Sequence, residues 1–398
     1  MRNRIVFLLG LGVAITMALL TGGRFLYLIA VSMMLVYVGS WLILKINARN
    51  LFLFFNVSGE VLSVGDSIRI EYKLSNMRML PVAYGRMAFH VSRRLGDMEF
   101  PSETAYFGPY QMISIRKDVV CKNRGYYDVG RLDVLLKDPL GLFEHHMSFD
   151  KAIDLTVYPT VHPIERYDLP SREFFGRVSV PFTTHEDYTS LKKIRPFNEG
   201  DNLKKVHWKL SGKMDQLMVK EFELAASTKV YILVDGYKET IGMKEMNIQD
   251  GLAEIAVSLS HYFLMRQIEV SMLLGTHNRS KLDGKDMGQF TMFLEELTGY
   301  APDGLLPYPK FVHSEASKLY YGSTIINVTD KLTEPLFQTL LGLLDKRTDA
   351  QVILFGSETE PGEEERIAYL NSKGVRTVRI PERSMISQLL EATYAQAN

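Results

Sequence analysis

The sequence predicts a multidomain chain: an N-terminal transmembrane hairpin of two helices, then an antiparallel β-sandwich, then a doubly wound α/β domain. Three observations predict it. The first 50 residues hold five basic side chains (Arg2, Arg4, Arg24, Lys45 and Arg49), no acid and two long apolar runs. Between residues 51 and 159, short alternating apolar runs are broken by turn residues such as Val64-Gly65-Asp66 and Arg124-Gly125. After residue 228, buried-type strands alternate with stretches whose apolar residues recur at helical spacing.

The hairpin comes first, as domain 1–49. Residues 5–23 and 25–44 carry no charge, and each run approaches the ~20 residues that cross ~30 Å of hydrocarbon. Thr21, Gly22, Gly23 and Arg24 form the turn. A cleaved signal peptide fits less well, because no small-x-small cleavage site stands out and a second apolar run follows at once. Arg2, Arg4, Lys45 and Arg49 on one side outweigh Arg24 on the other, so both ends and all later domains are expected in the cytoplasm.

Domain 50–160 reads as strands at 61–64, 68–74, 86–91, 114–120, 131–136 and 155–158, a sandwich of immunoglobulin-like size. No catalytic motif falls here. His145 and His146 are adjacent, so in a strand they face opposite ways and read as surface residues. Cys121 is the one cysteine of the chain; it excludes an intrachain disulfide and a thiolate cluster, and is expected to pack in a strand.

A linker, 161–227, leads to the α/β domain at 228–398. That domain reads as strands at 229–234, 268–274, 324–328, 351–355 and 376–380, with helices at 247–266, 287–298, 335–346 and 363–372 and another from Met385. Ligands of such sheets sit at the carboxyl ends of the strands, which places Asp235 and Asp330 on one rim. Neither a dinucleotide fingerprint nor a Walker pattern sits at a strand-to-helix turn. With 46% hydrophobic and 23% charged residues and no net charge over 398 residues, the chain has material for several cores, and neither global disorder nor nucleic-acid binding by bulk charge is expected.

The most distinctive stretch, 195–213, lies in the linker and reads Arg-Pro-Phe-Asn-Glu-Gly-Asp-Asn-Leu-Lys-Lys-Val-His-Trp-Lys-Leu-Ser-Gly-Lys. Gly200 permits a tight turn and Asp201 can cap a short helix. Leu203, Val206, His207 and Leu210 then share a buried face, with Lys204, Lys205 and Lys209 elsewhere. Trp208 is expected to be a buried anchor at the domain junction. Seven basic residues against Glu199 and Asp201 across 192–213 call for something acidic nearby: this chain, a partner or a lipid surface.

This stretch resembles the signature of the DUF58 family, with Gly200, Asp201, Lys204, Lys205, His207 and Trp208 in the family's places and lysines where arginine is common. Lys122-Asn123-Arg124-Gly125-Tyr126-Tyr127 and Asp138-Pro139-Leu140-Gly141-Leu142-Phe143 are similar to motifs of the family's β-domain. The resemblance implies a bacterial membrane-anchored protein whose last domain is von Willebrand factor A-like, of a family often encoded beside MoxR-type AAA+ ATPases. Working A domains hold Mg²⁺ through Asp-x-Ser-x-Ser. Here the stretch is Asp235-Gly236-Tyr237-Lys238-Glu239, a degenerate site in which Asp235, with Asp330 as distal acid, is read first as structural and second as a remnant magnesium ligand; Lys238 is a candidate for neutralising the local charge.

The function expected is therefore a non-enzymatic, membrane-tethered scaffold or adaptor for a cytoplasmic protein partner such as an AAA+ ATPase, with no catalytic residues and no cofactor. The alternatives are a hydrolase using His207 with Asp201, or His185 with Glu186 and Asp187, and a sensor of anionic lipid acting through 192–213.

Overall fold

The structure, a computed structural model, describes residues 2–59, 61–96, 100–167, 186–197, 206–224, 229–319, 323–344 and 349–395. Gly200, Asp201, Lys204, Lys205 and His185 lie outside these. Two compact units emerge, Met1–Thr160 and Val161–Asn398.

In the first unit, helices α1 (Arg2–Thr21) and α2 (Arg24–Arg49) pair as a hairpin and are long and apolar enough to cross a membrane. Gly22, at φ +66°, supplies the left-handed turn between them. α2 runs past the expected end of its span. Leu44 and Ala48 are buried in the core of the β-domain, and the Asn47 amide donates to the Pro81 carbonyl at 3.0 Å. The hairpin and the β-domain thus share a helix end.

The strands are β1 (Leu51–Val57), β2 (Leu62–Ser63), β3 (Ser67–Asn76), β4 (Val82–His90), β5 (Glu103–Phe107), β6 (Met112–Val120), β7 (Gly125–Lys137) and β8 (Glu144–Tyr158), with a helical turn α3 (Arg93–Gly96) after β4. They form a sheet β1-β3-β6 and a sheet β2-β8-β7-β4-β5. Inward side chains of both, including Ile70, Tyr72 and Leu74 from β3 and Leu132, Val134 and Leu136 from β7, make one apolar core. β7 and β8 are far longer than the runs expected at 131–136 and 155–158. Their alternation is interrupted by a bulge at Gly130 (φ +113°), where a Cβ would meet the Lys151 carbonyl oxygen at 2.5 Å. Cys121 is buried but sits one residue past β6 rather than within a strand; burial, with Asp66 adding, pushes its thiol up to about 11. His145 and His146 are exposed on β8.

The second unit begins with an antiparallel ribbon of β9 (Glu186–Pro196) and β10 (Met218–Leu224), with α4 (Trp208–Met214) between them. The α/β sheet follows: β11 (Val230–Val234), α5 (Met246–Met265), β12 (Val270–Leu274), β13 (Lys281–Gly284), α6 (Phe290–Thr298), α7 (Tyr308–Ala316), β14 (Thr324–Thr329), α8 (Glu334–Leu344), β15 (Asp349–Phe355), α9 (Glu363–Ser372), β16 (Arg376–Ile380) and α10 (Ile386–Ala395). Strand order is β13-β12-β11-β14-β15-β16, parallel except for edge strand β13. Alternate residues of β11 serve two cores. Val230, Ile232 and Val234 meet Ala256 and Leu259 of α5; Tyr231 and Leu233 meet Phe311 of α7 and Leu336 of α8. β13 and α7 were not anticipated by the sequence pattern. Nor is 161–167 a free linker: Ile164 and Tyr167 belong to the first of these cores, and the Tyr167 hydroxyl donates to Gln351 Oε1 at 2.5 Å.

Candidate functional site

The strand order reverses between β11 and β14, and the loops leaving their carboxyl ends carry Asp235 and Asp330. Asp235 follows a strand buried at every position and is itself 4% exposed. Its Oδ1 accepts from the Tyr237 backbone N–H at 3.0 Å and its Oδ2 from the Thr329 hydroxyl at 2.7 Å. The Tyr300 hydroxyl donates to its carbonyl oxygen. Burial pushes the Asp235 carboxyl up to about 7 against the opposing pull of those two hydrogen bonds, and the charge of Asp330 adds to the rise. Asp330 is also raised, by burial, although Lys244 and Lys331 oppose this. Both acids follow the carboxyl ends of adjacent parallel strands, and the charge of Asp330 reaches Asp235.

Three loops converge beside them through glycine. The Gly304 N–H donates to the Gly236 carbonyl at 2.8 Å, and the Gly275 N–H to the Val234 carbonyl at 2.9 Å. A Cβ on Gly304 would fall 1.9 Å from the Gly275 carbonyl oxygen. No side chain fits there, which closes the rim over Asp235.

On the other side, Asp330 lines an open cleft of about 240 Å³ together with Lys244, Lys331, Gly356 and Glu358. The Lys244 ammonium lies 3.7 Å from Asp330 Oδ2 and 2.7 Å from Glu358 Oε2, with Lys331 3.3 Å from the same Glu358 oxygen. Lys238, the expected neutralising lysine, is exposed. Its role falls to Lys244, which no spacing in the sequence marks, and Thr329 was likewise missed although it adjoins Asp330.

These residues do not fit a magnesium ion. Each Asp235 oxygen already accepts a hydrogen bond, and an ammonium group sits against Asp330. Tyr237 and Glu239, where the resemblance leads one to look for two serines, bind each other instead, with the Tyr237 hydroxyl 2.5 Å from Glu239 Oε2. Among the described residues no three His, Cys, Asp or Glu side chains are gathered as for a metal.

The signature segment differs from expectation. In its described part a helix starts at Trp208 with His207 as the cap: His207 Nδ1 accepts from the Leu210 N–H at 3.2 Å; the cap expected at Asp201 lies outside the described residues. Val206 bridges to Val219 instead of lying on a helical face. The Ser211 hydroxyl, buried, donates to the His207 carbonyl at 3.1 Å and accepts from the Met218 N–H at 2.9 Å, pinning α4 to β10. Trp208 is not a buried anchor; it is 66% exposed. The residue before it and the one three after hold the helix down, which leaves the first helical position facing out. Lys209, Lys213 and Met214 are exposed beside it.

Residues 193–304 match the family described as "Protein of unknown function DUF58". Over 115 residues the chain is 30% identical to the "Uncharacterized protein YeaD" of Bacillus subtilis (strain 168), a match spanning 29% of this chain and 29% of that relative's length. Among solved structures, proximal thread matrix protein 1 from the mussel byssus aligns at 13% identity and a TM-score of 0.32 over 43% of this chain and 47% of that one. A further structure of that protein, described as having a zinc-occupied MIDAS motif, aligns at the same score over 43% of this chain and 48% of that one, too low a score to fix a fold. The family match begins within β9, takes in the capped Trp208 segment and the loop of Asp235, and ends at Gly304, so it is residues 193–304 of this chain that are similar to DUF58.

Proposed function

We propose that this chain is a membrane-anchored, non-enzymatic adaptor that presents a degenerate von Willebrand factor A-like domain to a cytoplasmic protein partner, an AAA+ ATPase of the MoxR type. The two-sheet domain is read as a β-sandwich, the six-stranded domain as doubly wound, and both as lying on the cytoplasmic side. The observation that carries the reading is Trp208: an indole 66% exposed on a helix that its neighbours hold rigidly, flanked by Lys209 and Lys213. A preorganised aromatic with cationic neighbours is the composition of a protein-binding hot spot. The hydrolase alternative is less well supported, since the His207 ring is engaged as a helix cap. The closed loop around Asp235 supports an adaptor that works without a resident metal.

Affinity recovery from native membranes with the full-length chain tests this. An ATP-hydrolysing partner is expected with the wild type. Trp208→Ala should leave the melting temperature nearly unchanged, as exposed substitutions do, yet weaken the partner by roughly 30-fold, the factor that corresponds to a hot spot of ~2 kcal/mol. Equal recovery by the variant, or turnover of a small substrate by the purified chain, would overturn the adaptor reading.

A further inference from the structure

The Asp138-to-Phe143 motif stood out in the sequence, and the adaptor reading leaves it without a role. In the structure it is the turn between β7 and β8, built around one buried carboxylate. Asp138 Oδ1 accepts from the Phe143 N–H at 2.7 Å and Oδ2 from the Leu140 N–H at 3.1 Å. The Gly141 N–H returns to the Asp138 carbonyl at 3.0 Å, and Gly141 takes φ +65°. Leu142 is turned inward and buried. Pro139 and Leu140 are left at the tip, exposed.

What lies beside this turn is the membrane hairpin. A Cβ on Gly141 would come 3.3 Å from Asn3 Nδ2. The Arg4 guanidinium stands 5.1 Å over the Phe143 ring and donates to the Tyr37 hydroxyl at 3.0 Å, while the Tyr37 and Phe143 rings are 4.8 Å apart. One turn further along α2, the Lys45 ammonium sits 4.8 Å over the Trp41 ring. Tyrosine, tryptophan and basic side chains gathered at one level of a hairpin mark the headgroup region of a bilayer. Most of the large apolar side chains of α1, and of α2 as far as Leu42, are exposed, and immediately beyond that stretch Leu44 enters the β-domain core.

We propose that the Asp138–Phe143 turn is a foot of the β-domain that stands in the bilayer surface, with Pro139 and Leu140 seated at the headgroup–acyl boundary beside the N-terminus of α1. The inference rests on the membrane-anchored reading of the hairpin. Its occupant is lipid because the tip is continuous with the level of α1 and α2 defined by Arg4, Tyr37 and Trp41, and an exposed leucine and proline held rigidly at that level gain by leaving water. Asp138 is a positioning residue, since it shapes the turn without reaching the lipid.

A nitroxide on Leu140→Cys in the full-length chain, reconstituted into phosphatidylcholine–phosphatidylglycerol vesicles, reads the depth through relaxation by oxygen against a water-soluble nickel chelate. Native Cys121 stays silent because it is buried and its thiol is pushed up to about 11. Leu28→Cys, on the outward face of α2, reports whether the hairpin is in lipid. Tyr126→Cys, exposed near the opposite end of β7 some ~36 Å along the strand, reports water. The expected result is a ratio of oxygen to nickel accessibility at Leu140, and at Pro139→Cys, that lies clearly between those at Tyr126 and Leu28. A value at Leu140 equal to that at Tyr126 while Leu28 is deep overturns the foot and spares the hairpin. Protection from both reagents places the tip against a second copy of the chain and equally overturns it. A water-like Leu28 overturns the membrane reading and the foot with it.

Discussion

Asp235 shows how a buried carboxyl at a strand end can serve structure through its protonation state. In the unfolded chain its carboxyl titrates near 3.8; in the fold, burial raises it to about 7. The folded state therefore favours the protonated form. The residue's contribution to stability is fully present below the unfolded value and is lost as pH climbs through about 7. Asparagine mimics the protonated acid: its carbonyl can accept from the Tyr237 N–H, and its amide can donate to Thr329. Asp235→Asn is thus expected to melt like the wild type near pH 4 and to be the more stable protein near pH 8, by on the order of a few kcal/mol. Thermal melts across that range check it; a wild type that remains the more stable at pH 8 would mean the anion is held by something stronger than the two hydrogen bonds seen.

Helix α5 shows where periodicity misleads at the scale of an element. Leu252, Ile255, Ala256 and Leu259 identified it as an amphipathic helix, a pattern that puts Asp250, Glu254 and Ser258 on a solvent face. All three are buried. The covering groups come from distant parts of the chain: Arg383 Nε donates to Glu254 Oε2 at 2.9 Å, and His162 lies 3.0 Å from the same oxygen. The backbone N–H of His162 also donates to Ser258. Burial alone would raise the Glu254 carboxyl, but Arg383 and His162 together hold it below its ordinary value. Removing the guanidinium strands a buried anion, so Arg383→Met should cost about 3–5 kcal/mol near pH 7. The cost should shrink as pH falls, because burial no longer opposed by Arg383 favours the protonated carboxyl, and Glu254→Gln added to Arg383→Met should restore part of the loss. Denaturant titration of the two variants decides this, and a double variant no better than the single one would show that the pair contributes little.

For the whole molecule, the order of parts was legible because each has its own hydrophobic period: unbroken for the hairpin, two for the β-domain, and strands alternating with 3.6-residue periodicity beyond residue 228. The boundaries were harder to read, because the segments that cross them are held by contacts remote in sequence. Tyr167 reaches Gln351, and Asn47 reaches Pro81. The candidate site was half legible for the same reason. Asp235 and Asp330 sit at strand ends that the pattern reveals, whereas Lys244 and the exposure of Trp208 depend on packing. The apolar run that ends at Leu44 looks uniform in the sequence, yet its final turns differ: Trp41 and Leu42 are exposed, whereas Leu44 and Ala48 are buried in the β-domain core. A soluble fragment cut at residue 50, where the sequence alone places the border, removes both side chains and the Asn47 hydrogen bond from the β-domain. The lost burial of a leucine alone is worth about 2–5 kcal/mol, which for a β-domain of this size lowers the melting temperature by roughly 10–20 °C. Fragments 42–398 and 50–398 compared by calorimetry should therefore differ in the melting of the β-domain while the α/β transition stays put, and coincident traces would place Leu44 outside that core.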